Sequence, residues 1–287
     1  MIERFFLICE SSFHASYLVT KWMEAFEQVK EFRGIAARAE WFLSGTSKAR
    51  ESFHRRHAGE RQLSLTAHAE LQRLYSDMSD TERSMIQLFG VPSHSATFHP
   101  TTIFLGPDLN SDANHQWLAE VCREGPTYFF IFLDQMLAPW WIDLTGARII
   151  NAHSAVLPYA RGMFAMERVA MSEDLDAFSQ VLGATVHYID TGVDTGPVIR
   201  AARLVDCWLD SIWEEKGYVF TVAFDLLIEV ARDMLARPHL IPVGTPPETR
   251  LRGPAFKRSD FTSESRLRAE RGYLTIMKEA ARRRSSA

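Results

Sequence analysis

Cysteine is scarce in this chain, and what little there is excludes two classes. Cys9, Cys122 and Cys207 lie far apart and lack metal-ligand spacing, so neither a disulfide framework nor a zinc site is expected. They read as three reduced thiols in a cytoplasmic protein. His54, His57 and His68 have no supporting carboxylate pattern, and no metal is expected there either. No apolar run reaches the roughly 20 residues that a bilayer-spanning helix needs. The most apolar stretch, residues 128–142, is broken by Asp134, Gln135 and Pro139. Met1-Ile2-Glu3-Arg4 leads into a short apolar run without a small-residue cleavage site, so no signal peptide is read. An excess of one charge sign is also missing. The formal net charge is -4 over 287 residues, which gives no electrostatic case for nucleic acid. Lys and Arg gather only locally, at residues 48–61 and in the tail, where a solvated face is the ordinary reading.

What is present is an alternation of short apolar runs and amphipathic stretches. Residues 4–9, RFFLIC, suit a buried strand, and Leu18, Trp22, Phe26 and Val29 mark one face of a helix over 15–29. The turn between them, Glu10-Ser11-Ser12-Phe13-His14, carries hydroxyls and an imidazole but no glycine. A phosphate cradle wants glycine so that backbone can approach the anion. A carboxylate ligand, or a helix N-cap made by Ser11 or Ser12, fits this turn better. Residues 31–95 read as a largely helical insertion, with capped helices over 64–75 and 79–88. Strands are expected at 101–105, 128–133, 147–150, 184–189 and 198–203, and helices at 112–123, 140–144, 163–171, 211–235 and from 263 onward. This alternation predicts an α/β protein with a Rossmann-like, doubly wound, mostly parallel sheet. The catalytic domain is expected over 1–205, and a mainly helical C-terminal extension over 206–287 is expected to pack on it.

One stretch concentrates chemistry. Asn151 and His153 sit two apart at the end of a strand, so their side chains share a face if the strand continues. An amide donor and an imidazole together can reach one carbonyl oxygen. Fixed donors on an oxygen that becomes negative in acyl transfer contribute about 3–4 kcal/mol each. A carboxylate must then take the proton lost by an amine, or keep the imidazole a donor. Asp194, in the loop Asp190-Thr191-Gly192-Val193-Asp194-Thr195-Gly196-Pro197, is the candidate, with Gly192 and Gly196 giving the loop its conformational freedom. On residue chemistry alone the set stays open. Asn-x-His is also a common turn amide with a satisfied histidine, Asp-Thr-Gly is also turn chemistry, and His187, near the loop but inside a strand pattern, reads as packed or as a support behind the site.

The order of three motifs narrows this. Asn151-Ala152-His153 with Leu157-Pro158 and Arg161-Gly162, then Gly183-Ala184-Thr185-Val186-His187-Tyr188, then Asp194-Thr195-Gly196-Pro197-Val198-Ile199, resemble the formyltetrahydrofolate-dependent formyltransferases over residues 100–200. That resemblance implies the formyltransferase fold, 10-formyltetrahydrofolate as formyl donor and no metal. It also implies catalytic roles for Asn151, His153 and Asp194. By the same resemblance, Leu133, Asp134, Gln135, Met136 and Leu137 face Ile189, Asp190 and Val193 across the pterin, with Met136 and Leu137 as apolar contacts.

The departures from the family bear on the acceptor. The first turn lacks the glycine-rich phosphate loop of glycinamide ribonucleotide enzymes. The C-terminal part does not look like the β-rich domain of the tRNA enzymes. No aromatic-basic site for a nucleotide is apparent. A small amine without phosphate remains, and the layout most resembles the hydroxyornithine formyltransferases of hydroxamate-siderophore pathways. The alternatives are a nucleotide-sugar amine, glycinamide ribonucleotide, or water in a formyltetrahydrofolate hydrolase. Ser11, Ser12, His14 or Arg161 would hold the acceptor's charged groups, and Tyr159 and Met163 would line its side. The expected partners are thus a small-molecule amine, no nucleic acid and no membrane, in a monomer or homodimer.

Overall fold

A computed structural model describes residues 2–39, 43–97, 102–205, 207–237 and 239–286. The elements follow one another as β1 (Phe5–Glu10), α1 (Phe13–Phe26), β2 (Phe32–Arg38), α2 (Leu43–His57), α3 (Leu65–Leu74), α4 (Asp80–Phe89), β3 (Ile103–Phe104), α5 (Asp112–Arg123), β4 (Tyr128–Phe132), α6 (Pro139–Thr145), β5 (Ile149–His153), β6 (Arg161–Gly162), α7 (Ala165–Ala170), α8 (Leu175–Val181), β7 (Gly183–Tyr188), β8 (Val198–Arg203), α9 (Ile212–Ala236), β9 (Ala255–Phe256) and α10 (Ser263–Ser286). Seven strands form one sheet in the order β3-β2-β1-β4-β5-β7-β8. The pairs β3/β2, β2/β1, β1/β4 and β4/β5 are parallel and β7/β8 is antiparallel. This is the mostly parallel α/β sheet that the alternating pattern predicts. Among the described residues, no helix is long and apolar enough to cross a membrane.

The chain forms two compact units, Met1–Asn151 with Leu227–Pro242, and Ala152–Leu226 with Val243–Ala287. One boundary between the units falls inside β5, and the chain returns to the first unit at the end of α9. In the first unit, aromatic side chains of β1 and β4 pack under α1. Phe5 meets Trp22, Phe26 and Phe130 with ring centroids 6.0, 5.4 and 5.9 Å apart. Parallel pairing of β1, β2 and β4 brings Glu10, Arg38 and the residues after Phe132 to one sheet edge.

Residues 31–95 are not helical throughout. Phe32–Arg38 is a strand inside the sheet, with Ile35, Ala36 and Ala37 fully buried. Two arginines and Gly34 hide it in the sequence, since only three of its seven residues form an apolar run. The expected capped helices are α3 and α4. Ser64 accepts from the Ala67 N–H, and Ser79 and Glu82 make a full capping box. The N-cap expected at the first turn is absent as such. Ser12 occupies the cap position, but its side chain makes no cap bond.

The second unit is built around a core from α7, α8, α9 and α10, with Met166, Phe178, Val219, Tyr273 and Ile276 fully buried. Each such side chain contributes roughly 1.5–3 kcal/mol by leaving water. The tail is therefore part of this core. The helix expected over 163–171 is shorter, because Phe164 takes a left-handed conformation and α7 begins at Ala165. The segment expected as a turn at 252–256 also contains β9, which pairs with β6. Strand pairing between residues more than 90 apart leaves no local signal at positions 255 and 256.

Candidate active site

β5 continues through His153, so Asn151 and His153 lie on the strand itself, two residues apart and on one face. Asn151 pairs in register with Ile131 of β4 and closes the first unit. His153 opens the second unit and is buried. After it the chain turns back, held to β7 by Thr185, whose hydroxyl donates to the Ala155 carbonyl (2.9 Å) and accepts from the Leu157 N–H (3.0 Å). This return places the Ala160 carbonyl 3.3 Å from His153 Nε2.

Asp194 converges on the same imidazole. Its Oδ2 lies 3.5 Å from His153 Nδ1 and accepts from the Gly162 N–H at 2.7 Å, while Oδ1 lies 3.5 Å from His187 Nε2. Burial would raise its pKa, but the charges and hydrogen bonds of His153, His187 and Gly162 outweigh burial and hold the carboxyl well below its usual range. Burial acts in the opposite sense on His153. It lowers the imidazole pKa first, Asp194 pulls it back up, and His187 and Lys216 push it down again, with a net fall. The resting pair is an ionised aspartate beside a neutral imidazole. A proton that arrives on His153 is received against a fixed negative charge.

The loop that presents Asp194 differs from expectation in one respect. The positive φ belongs to Asp194 itself, at 47°, and not to Gly192 or Gly196. The glycines supply space. A Cβ on Gly196 would stand 1.9 Å from the Tyr188 carbonyl oxygen, and one on Gly192 would stand 2.0 Å from Thr195 Oγ1. Asp190 closes the turn by accepting from the Gly192 N–H (3.0 Å) and the Thr195 hydroxyl (2.6 Å). Arg161 ties it down, donating to the carbonyls of Val193 (3.0 Å) and Gly253 (3.1 and 3.2 Å). Arg161 is thus a brace of this loop in the structure. Tyr159 is half-buried with the Arg203 guanidinium over its ring at 5.1 Å. Met163 donates its N–H to the Phe256 carbonyl.

The remaining residues singled out in the sequence lie in the first unit, apart from Ile189, which follows β7. Met136 is 54% exposed and Leu133 and Leu137 are half-buried, so none of the three is core. Gln135 bonds the Leu109 N–H and Asp108, and the Met136 carbonyl accepts from Asn110. Asp134 is engaged on both sides. Its carboxylate pairs with Arg38, and its N–H donates to Glu10 Oε1 at 3.0 Å. Burial first, then Asp134 beside it, pushes the Glu10 carboxyl up to about 8. At the β1–α1 turn, the Ser11 carbonyl accepts from Arg50, and His14 pairs with Glu82 at 3.0 Å. Among the described residues, no group of three or more His, Cys, Asp or Glu could hold a metal ion.

Sequence reasoning undervalued three residues here. His187 sits in a strand pattern, and only the fold turns it onto Asp194. Gly162 is legible as part of Arg161-Gly162, but its N–H donation to Asp194 is not. Glu82 is legible as the acid of a capping box, yet its second oxygen serves His14.

Residues 111–205, from α5 through β8, match the family model described as formyl transferase. The phosphoribosylglycinamide formyltransferase of Bacillus subtilis (strain 168) is 43% identical over 54 residues, 19% of this chain and 25% of that enzyme. The chain thus aligns with about a quarter of that curated relative. A 4-N formyltransferase from Francisella tularensis superposes with a TM-score of 0.56 at 12% identity, covering 96% of this chain and 89% of that one. The N-formyltransferase from Helicobacter canadensis, solved with folinic acid and dTDP-3-aminofucose, gives 0.52 at 11% identity, covering 96% and 80%. At these identities the likeness establishes the fold.

Proposed function

We propose that this chain transfers the formyl group of 10-formyltetrahydrofolate to the nitrogen of a small amine or hydroxylamine. The observation that carries the reading is the largely buried His153–Asp194 pair, anchored by the Gly162 N–H and carried by a formyl transferase domain. The folate supplies the formyl carbon. Asn151 donates to the oxygen that becomes negative as the acceptor nitrogen adds. His153 receives the proton that the nitrogen loses, Asp194 compensates the resulting imidazolium, and the proton passes to N10 of the folate as the N10–formyl bond breaks and tetrahydrofolate leaves. Leu133, Asp134, Gln135, Met136 and Leu137, with Ile189, Asp190 and Val193, hold the pterin, and the exposed Met136 favours this assignment. Tyr159 and Met163 face the acceptor, since they follow the His153 strand within ten residues. Arg161 acts through the loop it braces, and Ser11, Ser12 and His14 contribute polar contacts from the β1–α1 turn.

The side-chain hydroxylamine of hydroxyornithine is the first acceptor to test. A hydroxylamine is neutral at pH 7 and asks less of a buried base than an ammonium does. A nucleotide-linked amino sugar is the second reading, favoured by fold neighbours that include a sugar N-formyltransferase and an N-formyltransferase solved with dTDP-3-aminofucose. The experiment is an acceptor screen with 10-formyltetrahydrofolate, read as tetrahydrofolate release. Release that depends on hydroxyornithine supports the first acceptor, and release that depends on an amino sugar transfers the assignment to the second. Release with no acceptor marks a hydrolase. Release that is absent throughout, or indifferent to Asp194→Asn, overturns formyl transfer at this site.

A further inference from the structure

The first unit contains a second carboxylate–imidazole pair, and it is wired to a hydroxyl. Glu82 is buried, and its two oxygens have different tasks. Oε2 accepts from the Ser79 N–H (2.8 Å) and hydroxyl (3.0 Å) and so caps α4. Oε1 accepts from the His14 N–H (3.0 Å) and lies 3.0 Å from His14 Nδ1. Burial alone would raise the Glu82 carboxyl, but the hydrogen bond and charge of His14, with the Ser79 and His14 N–H groups, hold it down to about 2. A carboxylate only accepts, so Nδ1 carries a proton, and in the neutral imidazole Nε2 presents its lone pair. Ser12 Oγ stands 3.3 Å from that nitrogen. Hydroxyl, imidazole and buried carboxylate therefore follow in the order that activates a serine.

The place of Ser12 fits the same chemistry. It lies between a parallel strand and a helix, at the carboxyl end of β1, and it is half-buried. It holds the N-cap position of α1 without making the cap bond, so its hydroxyl is left to His14. Phe13 follows as the first helical residue, and a first-turn N–H has no partner within its own helix. A nucleophile on a strand–turn–helix, with the next residue's N–H facing the oxyanion, is the arrangement of a nucleophile elbow. This turn departs from that pattern in two ways. No glycines flank Ser12, and the base is only two residues away.

We infer that Ser12 is an activated nucleophile that takes an acyl group from a small ester or thioester, with His14 as its base and Glu82 as the residue that positions the base. Oγ adds to the carbonyl carbon while Nε2 takes the hydroxyl proton. Nε2 then gives that proton to the leaving alcohol or thiol as its bond to carbon breaks, leaving an acyl-serine. Water adds to the acyl-serine as Nε2 takes its proton. The carboxylic acid departs, and the proton returns to Oγ.

The test uses the full chain, p-nitrophenyl acetate as substrate and a fluorophosphonate as covalent probe. The expected result is a probe adduct on the peptide bearing Ser12, absent in Ser12→Ala. Ester hydrolysis should fall about 100-fold in Ser12→Ala and in His14→Ala. Glu82→Asp should retain more of the rate than Glu82→Gln, which a merely structural carboxylate would not require. Hydrolysis should persist in Asp194→Asn, the variant that loses formyl transfer in the reading above, so the two readings stand or fall separately. No adduct on Ser12 overturns the inference. So does wild-type hydrolysis in a Ser12→Ala protein of unchanged circular dichroism and Tm, or loss of hydrolysis in Asp194→Asn.

Discussion

His153–Asp194 in the second unit and His14–Glu82 in the first use the same pair of side-chain types for opposite ends. In the second unit both imidazole nitrogens face acceptors, the Asp194 carboxylate at 3.5 Å and the Ala160 carbonyl at 3.3 Å. In the first unit one nitrogen faces a carboxylate oxygen at 3.0 Å and the other a hydroxyl at 3.3 Å. The carboxylates differ as well. Asp194 is shared by two histidines and the Gly162 N–H, whereas Glu82 divides its oxygens between one histidine turn and its own helix cap. An imidazole among acceptors is fitted to hold a proton delivered by a reaction. One between a carboxylate and a hydroxyl is fitted to take that hydroxyl's proton. The partner on the far ring nitrogen distinguishes them, not the His–acid pair itself.

The sharpest way to break this comparison is to neutralise each carboxylate. Asp194→Asn should lower kcat for formyl transfer by about 10²–10⁴-fold with little change in folate affinity, measured by steady-state kinetics and folate titration. Gly162→Ala should come next. An added Cβ would stand 2.2 Å from the Phe256 carbonyl at a φ of 79°, and any shift moves the N–H that fixes Asp194. A loss of at least about 2 kcal/mol in urea unfolding and about 10-fold in kcat is expected. Glu82→Gln should destabilise the fold by about 2 kcal/mol, because hydrogen bonds to a buried charge are lost.

Acid separates Glu82 from Glu10. The folded Glu82 pKa of about 2 lies below its ordinary 4.5, so its stabilisation is present above 4.5 and is lost as pH falls toward 2. The folded Glu10 pKa of about 8 lies above its ordinary 4.5, so its contribution is complete below 4.5 and is lost as pH rises through 8. Glu10→Gln should therefore raise stability at pH 9 by about 1 kcal/mol and leave it nearly unchanged at pH 5, read from Tm against pH. An equal effect at both pH values would remove Glu10 from this scheme.

The legible parts of the molecule are those whose information is local. Helix starts at Ser64 and Ser79 follow from cap chemistry within three residues, and both caps form. Buried strands β1 and β4 follow from continuous apolar runs. β2 was not legible, since its burial comes from neighbours on both sides and not from its own arginine-flanked composition. For His187 the sequence leaves packing and a supporting role both open, because a strand pattern says which face a side chain takes, but not what stands on that face.

By itself the sequence determined the alternating α/β order, the helix caps and the placing of Asn151 and His153 two apart on one strand, because each depends on residues within a turn or a strand of one another. Only the tertiary structure decided which carboxylate stands against each imidazole. Glu82 is 68 residues from His14, and Asp194 is 41 from His153, counted along the chain. Such pairings are long-range contacts. They arise from how the chain returns on itself, and no local pattern encodes them.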